Sequence, residues 1–247
     1  MSESSSPSLS SPSLSSESLP VVLVPGLSCS ARLYAEQIPV LWRFGPVTVA
    51  DHTRDDTIAA IARRILSVAP PRFALAGLSM GGYIAFEIVR QAPERVVKLA
   101  LLDTAAGPET PQQTEVRLKR IEMTTAGRFA EAQAQLYPLM VHHDRHEDAD
   151  LKHAVALMGE ETGPDVFIRQ QGAIMGRADS RPTLATIKCP TLVVLGDADQ
   201  LTPPAAAQEI AAGISGARLV VIPQSGHLST MERPDAVNAA LVAWMKG

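Results

Sequence analysis

Residues 72–85 read Arg72-Phe-Ala-Leu-Ala-Gly77-Leu-Ser79-Met-Gly81-Gly82-Tyr-Ile-Ala85. The first part, 73–76, is a short apolar run of the kind that forms a buried strand. The last part opens a helical pattern over 82–91 that Pro93 must stop. Between them lies Gly-x-Ser-x-Gly. Alone that pattern is unspecific, and an ordinary Gly-rich turn would satisfy it. Between a buried strand and a helix, it predicts a sharp turn that holds Ser79 in a strained conformation with its hydroxyl exposed. Side chains at Gly77 and Gly81 would collide across such a turn, and Gly82 and Ala85 let the helix lie close to the sheet. Ser79 is therefore the expected nucleophile.

Outward from this segment, apolar runs alternate with helical patterns. The runs are 21–24, 47–50, 73–76, 96–102, 191–195 and 219–222, rich in Val and Leu and bounded by Gly, Pro or Asp. Continuous rather than alternating runs predict strands buried on both faces, as in a parallel sheet. Residues 57–68 carry Ile58, Ile61, Ala62, Ile65 and Leu66 on one helical face, and 203–212 open with prolines suited to a first turn. This rhythm predicts an α/β fold: a mostly parallel sheet of about six strands with helices on both faces. It breaks once. Residues 105–186 contain no strand-like run, only helical patterns such as 113–124 and 129–139, and are too long for a loop. They are read as a helical cap inserted into a core made of 20–104 and 187–247.

A serine hydroxyl needs a base. His227 follows the last apolar run, so its loop lies at the carboxyl edge of the sheet, where Ser79 also points. A purely hydrogen-bonding loop histidine is the alternative. The base needs an acid to fix its tautomer. Gly196-Asp197-Ala-Asp199 follows the fifth run. Asp199 is preferred because it lies deeper in the turn; Asp197 is expected to close that turn with side-chain-to-backbone hydrogen bonds, and Asp103 is a third candidate. Two backbone N–H groups are expected to hold the oxyanion: Met80, after the nucleophile, and Leu27, in the loop Val24-Pro-Gly26-Leu-Ser28. Cys29 beside that loop reads as a small buried residue rather than a second nucleophile.

The 247 residues carry a formal net charge of −4 and no Lys/Arg-dense stretch, which argues against a nucleic-acid partner. No apolar run approaches the roughly 20 residues that span a bilayer. Two cysteines argue against a disulfide framework and fit a cytoplasmic setting. Residues 1–19 are nearly all Ser, Pro, Leu and Glu. They read as a disordered tail, with neither the basic n-region nor the apolar h-region of a secretory signal. His142, His143, His146 and His153 fall in one charged stretch. His142 and His146 are spaced to share a helix face, but without a His-Glu-x-x-His pattern or a cysteine pair the stretch reads as solvated surface rather than a metal site. Oligomeric state is not legible.

Together, Val22-Leu-Val-Pro-Gly26, Gly77-Leu-Ser-Met-Gly-Gly82, Pro190-Thr-Leu-Val-Val-Leu-Gly-Asp-Ala-Asp199 and Ser225-Gly-His227, followed by Glu232-Arg-Pro234, resemble the α/β-hydrolase superfamily. The resemblance runs from about Leu19 to the end. It is strongest to small capped members: pimeloyl-carrier methyl ester esterases, enol-lactone hydrolases and cyclohexadiene carboxylate synthases of the menaquinone pathway. It implies catalytic Ser79, Asp199 and His227, a small-molecule acyl substrate, and no metal or organic cofactor. Cleavage of an ester, thioester or lactone through an acyl-enzyme is expected. The same triad could serve carbon–carbon bond hydrolysis or a lyase step, and the same fold a non-catalytic receptor. One departure bears on substrate: many relatives have an Asp-x-Arg-Gly-x-Gly turn where this chain has Asp51-His-Thr-Arg-Asp-Asp56, with no glycine.

Overall fold

The computed structural model describes residues 18–247. The expected disordered tail therefore lies outside the described residues except for its last two positions. There the Leu19 N–H donates to the Phe44 carbonyl at 2.9 Å, tying the chain to the body before the first strand.

Among the described residues, six strands form one parallel sheet in the order β2-β1-β3-β4-β5-β6. They are β1 Val21–Val24, β2 Val47–Val49, β3 Phe73–Leu78, β4 Val96–Leu102, β5 Thr191–Gly196 and β6 Arg218–Ile222. Each central strand feeds two cores because side chains alternate across the sheet. Val22, Val24, Phe73, Leu75, Leu99, Leu101, Val193 and Leu195 face one side. There α2 (Ile58–Val68), α3 (Met80–Gln91) and α9 (Pro204–Gly213) pack through residues such as Ile61, Ile84 and Ile210. Val21, Leu23, Ala74, Ala76, Ala100, Leu102, Leu192 and Val194 face the other. That side is covered by α1 (Ile38–Leu41) and α11 (Pro234–Lys246), through Leu41, Val237, Leu241 and Trp244. The expectation of burial on both faces fails for β2 and β6. Both are edge strands without a second neighbour among the described residues; β2 is half-buried to exposed, and Val221 of β6 is 52% exposed.

Between β4 and β5 lie five helices: α4 (Pro111–Thr125), α5 (Phe129–Met140), α6 (Ala149–Thr162), α7 (Pro164–Met175) and α8 (Arg181–Leu184). A short helix α10 (Ser229–Glu232) precedes α11. The chain runs from β1 outward to β2 and then returns past β1 to β3, so the loops leaving β1 and β3 diverge. In open parallel sheets that switch point, at the carboxyl ends of the strands, opens a crevice for ligands.

Candidate active site

Two strand ends and a helix start meet at this crevice. β3 continues to Leu78, two residues beyond the apolar run, and α3 starts at Met80, two residues before the predicted helix. Only Ser79 is left to make the turn. It does so at φ 56°, ψ −116°, a conformation that L-residues rarely adopt. The surroundings fix it there. The Ser79 N–H donates to Leu102 O of β4 at 3.0 Å, and its carbonyl accepts the Thr104 hydroxyl at 2.8 Å. A Cβ on Gly77 would strike the backbone of Gly81, and one on Gly81 would strike the Val24 carbonyl of β1. Both glycines are therefore required by close backbone approach.

His227 lies on the loop between β6 and α10. Its Nε2 is 2.7 Å from Ser79 Oγ, and its Nδ1 is 2.8 Å from Asp199 Oδ2. A carboxylate can only accept, so Nδ1 carries the proton, Nε2 is left as acceptor, and the Ser79 hydroxyl donates to it. Asp199 is buried and saturated: Oδ1 accepts the Leu201 and Thr202 N–H groups at 2.8 and 2.9 Å, and Oδ2 also accepts the Thr202 hydroxyl at 2.7 Å. Burial alone would lower the His227 pKa, but the adjacent Asp199 charge outweighs it and the pKa is raised. Asp199 shows the mirror image: burial pushes it up, and His227 with the Thr202 donors pulls it below the usual carboxylate range.

The other two carboxylates do not touch the imidazole. Asp197 Oδ1 accepts the Ser225 N–H at 3.1 Å, pinning the His227 loop to the end of β5 rather than closing its own turn. Asp103 accepts the Gly196 N–H at 2.9 Å and the Ser229 hydroxyl at 2.5 Å. Burial and the nearby Asp199 charge push its pKa up to about 8, despite these two donors.

The loop after β1 closes the site. A Cβ on Gly26 would lie 3.4 Å from both Leu78 O and Ser79 Cβ, so this loop runs against the elbow. Leu27 N–H has no acceptor among the described residues, and Met80 N–H stands in the first turn of α3, where no intrahelical acceptor exists. Leu27 lines the same cavity as Ser79 and His227, with a volume of about 330 Å³, and Met80 directly follows the serine that faces it. Cys29 lines it too, but burial raises its thiol pKa to about 12, so it stays protonated and unreactive.

Three supports escaped the sequence reading. Gln170 of α7, fully buried, accepts the Ser28 N–H at 2.8 Å and donates to the His52 carbonyl at 3.3 Å. The His52 ring is kept neutral by burial, and its Nε2–H donates to Gly26 O at 2.9 Å. The loop bearing Leu27 is thus clamped from two sides. The glycine-free turn after β2 was a pointer, since it faces the same edge; Gln170 gave no signal in sequence. Glu232 accepts the Gly226 and His142 N–H groups at 2.8 and 2.7 Å, while His227 N–H donates to Met140 O at 2.9 Å. The histidine loop is thereby stitched to the end of α5.

His142 and His146 do not share a helix face, because the chain makes a single 3₁₀ turn at His143–Arg145. His142 is buried, with its ring tilted against that of His143 at 4.1 Å, and His146 is half-buried, so the solvated-surface reading holds for His143 and His153, which are exposed. Ligand atoms of His142, His143 and Asp144 lie within 4.8 Å of one another. His142 Nδ1 already accepts the Asp144 N–H at 3.3 Å, which makes this a poor ligand set.

Among the described residues, no helix is long and apolar enough to cross a membrane. The model of the alpha/beta hydrolase family matches residues 21–240. RutD of Rhizobium rhizogenes, a candidate carbamate hydrolase, is 26% identical over 245 residues, covering 92% of each chain. An esterase from Thermogutta terrifontis superposes with a TM-score of 0.82 at 28% identity, over 92% of this chain and 89% of the other. An enol-lactonase from Burkholderia xenovorans, at 24% identity and a TM-score of 0.83, covers 94% and 93% and speaks to the fold. With the family model matching from the first strand into the last helix, the chain belongs to the alpha/beta hydrolase family and is a hydrolytic enzyme.

Proposed function

We propose that the protein cleaves a carboxylic ester, thioester or lactone through an acyl-enzyme on Ser79. The observation that carries this reading is the unbroken chain Asp199–His227–Ser79, with contacts of 2.8 and 2.7 Å, ending on the strained elbow. In the first half-reaction, Ser79 Oγ bonds to the carbonyl carbon and its proton passes to His227 Nε2. The Asp199 charge, already 2.8 Å from Nδ1, stabilises the imidazolium. The Leu27 and Met80 N–H groups take the oxyanion. Collapse breaks the bond to the leaving group, which takes the proton from Nε2. Water then repeats the sequence on the acyl-enzyme and restores Ser79. Residues 105–186 serve as a cap whose helices supply the substrate-facing wall, since α4 and α5 contribute Arg117, Arg120, Leu136 and Leu139 to the cavity.

A screen of acyl p-nitrophenyl esters, thioesters, lactones and carbamates tests the reading, with labelling by a fluorophosphonate probe. Wild type should turn over at least one ester-type class and label at Ser79. Ser79→Ala should lower kcat by roughly 10⁴-fold or more and abolish labelling. A folded Ser79→Ala with wild-type turnover would sink the mechanism. An enzyme that labels at Ser79 yet cleaves only carbon–carbon bonds would keep the triad and change the substrate class.

A further inference from the structure

The cavity holding Ser79 has one wall of unusual charge. α4 presents Gln112, Gln113, Val116, Arg117 and Arg120 to it, positions that fall on one helical face. Arg117 is committed: Nε donates to Glu109 at 2.7 Å and Nη1 to Gln171 Oε1 at 2.8 Å. Arg177 shares the same buried Glu109 carboxylate and lies over the Tyr83 ring, 4.5 Å from its centroid. Tyr83 lines the cavity and stands one helical turn beyond Ser79 on α3. Arg120 is half-buried, yet its guanidinium has no hydrogen-bond or carboxylate partner among the described residues. Two guanidinium charges therefore share one carboxylate, and a third, Arg120 on the same helix face as Arg117, has none. Helical spacing offers no relief, because the positions three and four away from Arg120 are Val116, Arg117, Met123 and Thr124. Burial and the Arg117 charge both lower the Arg120 pKa, the signature of a cation held where it is not compensated.

A like-charge pair on one helix face costs stability unless something between the charges is negative. Glu109 is occupied by two arginines, and Arg120 lines the cavity, so a ligand bound there can supply the missing negative charge. The remaining lining is largely apolar, with Leu136, Leu139, Met140, Ile174 and Leu201. Apolar walls with a cation at one side suit a chain that ends in an anion. We infer that Arg120, supported by Arg117, forms a carboxylate-binding subsite, and that the substrate is an ester, thioester or lactone whose acyl chain carries a free carboxylate. A single uncommitted guanidinium matches a monoanion; a phosphate dianion would call for more free donors.

This inference rests on the proposed acyl-enzyme reading for its substrate, so the experiment has one arm that needs no turnover. Calorimetry with Ser79→Ala compares monomethyl adipate with neutral dimethyl adipate. The half-ester should bind at least roughly tenfold tighter, and in the double variant Ser79→Ala/Arg120→Gln that advantage should fall to near unity. Arg120→Lys in the same background should retain part of it, and thermal melts should show all variants folded. Lys119→Gln, which removes an exposed cation paired with Glu115, should leave the preference unchanged and controls for general charge. The second arm compares kcat/KM for the two esters in wild type and Arg120→Gln. Equal binding of both ligands by Ser79→Ala, or a preference that survives Arg120→Gln, would overturn the subsite. Preserved binding preference without hydrolysis of either ester would retain the subsite and count against the proposed activity. Tighter binding of a phosphate monoester than of the half-ester would assign the wall to a phosphorylated ligand and overturn the carboxylate.

Discussion

The elbow at Ser79 and the α4 wall face each other across one cavity and are held in opposite ways. Around Ser79 the fixing contacts are mostly backbone to backbone, to Leu102 O, against Gly81 and against the Val24 carbonyl, with the Thr104 hydroxyl added on the Ser79 carbonyl. Such contacts come in one geometry, which is how an unfavourable φ of 56° can persist. α4 buries only Thr124 among its residues and leaves Val116 and Leu118 exposed. It is placed by a capping box at Thr110 and Gln113 and by the Arg117–Glu109 pair. The proposed chemistry sits where the structure is over-determined, and the contacts proposed to choose a substrate sit where it is not. A wall with few buried contacts can change sequence, or open, at small cost.

The largest way to test that division is to perturb the rigid side by one atom. Asp199→Asn keeps the shape but offers the imidazole an amide, which favours the wrong tautomer; kcat should fall by as much as roughly 10⁴-fold. Asp197→Asn should change kcat little, because Asp197 meets the Ser225 backbone and not the ring. Kinetics of both folded variants decide the matter: the reverse ranking would move the acid to Asp197, and two mild effects would point to Asp103. Next in size is the sheet itself. Leu101→Ala removes a fully buried β4 side chain and should cost about 2–5 kcal/mol of unfolding free energy by denaturant titration.

The same division explains what was legible in the sequence. The six strands were, because runs such as 21–24 and 73–76 are apolar at every position and bounded by breakers. Ser79, Asp199 and His227 were visible because each follows such a run, so topology alone sends them to one edge. The limits of β3 and α3 were missed by two residues each, since propensity does not reveal that one residue can make the whole turn. The clamp on the Leu27 loop was invisible for another reason. Gln170 and Ser28 are 142 residues apart, and nothing in the local pattern around either announces the other. Glu232 entered the sequence reading through the Glu232-Arg-Pro234 resemblance, which says nothing of the two N–H groups it receives from the histidine loop and from the segment after α5.

Gln170 tests whether α7 supports the rigid side as well as the wall. Gln170→Leu strands the Ser28 N–H and the His52 carbonyl, and should lower kcat about tenfold while costing about 1–3 kcal/mol of stability. Since Gln170 does not line the cavity, KM should move less than kcat. An unchanged kcat with full stability loss would make it structural only. The pH profile is a comparable measure. His227 must be neutral to accept the Ser79 proton, and its pKa is raised above the ordinary histidine value of 6.5. Activity should therefore fall as pH drops through a kcat/KM pKa above 6.5, and the residual activity of Asp199→Asn should show that limb shifted lower. Asp103 works on stability with the opposite sense. Its folded pKa near 8 lies above its unfolded value, so the folded state binds the extra proton and stability declines as pH rises from about 4 to 8. Asp103→Asn should flatten that slope in pH-dependent melts.

The smallest expected effect is the most direct comparison of the two regions. Leu118 on α4 and Leu101 on β4 are the same residue type in the same chain, 52% exposed and fully buried respectively. Leu118→Gln keeps a straight, helix-compatible side chain and removes little apolar contact. Exposed helix positions of this kind change stability by less than about 0.5 kcal/mol. Leu118 also does not line the cavity, so hydrolysis and the half-ester preference should both be unchanged. If Leu118→Gln instead cost several kcal/mol, α4 would be packed against something that covers its outer face, and its freedom to act as an adjustable wall would be lost. If it left stability intact but altered the half-ester preference, α4 would transmit changes on its outer face to Arg120, and the wall would be a mobile element rather than a fixed one.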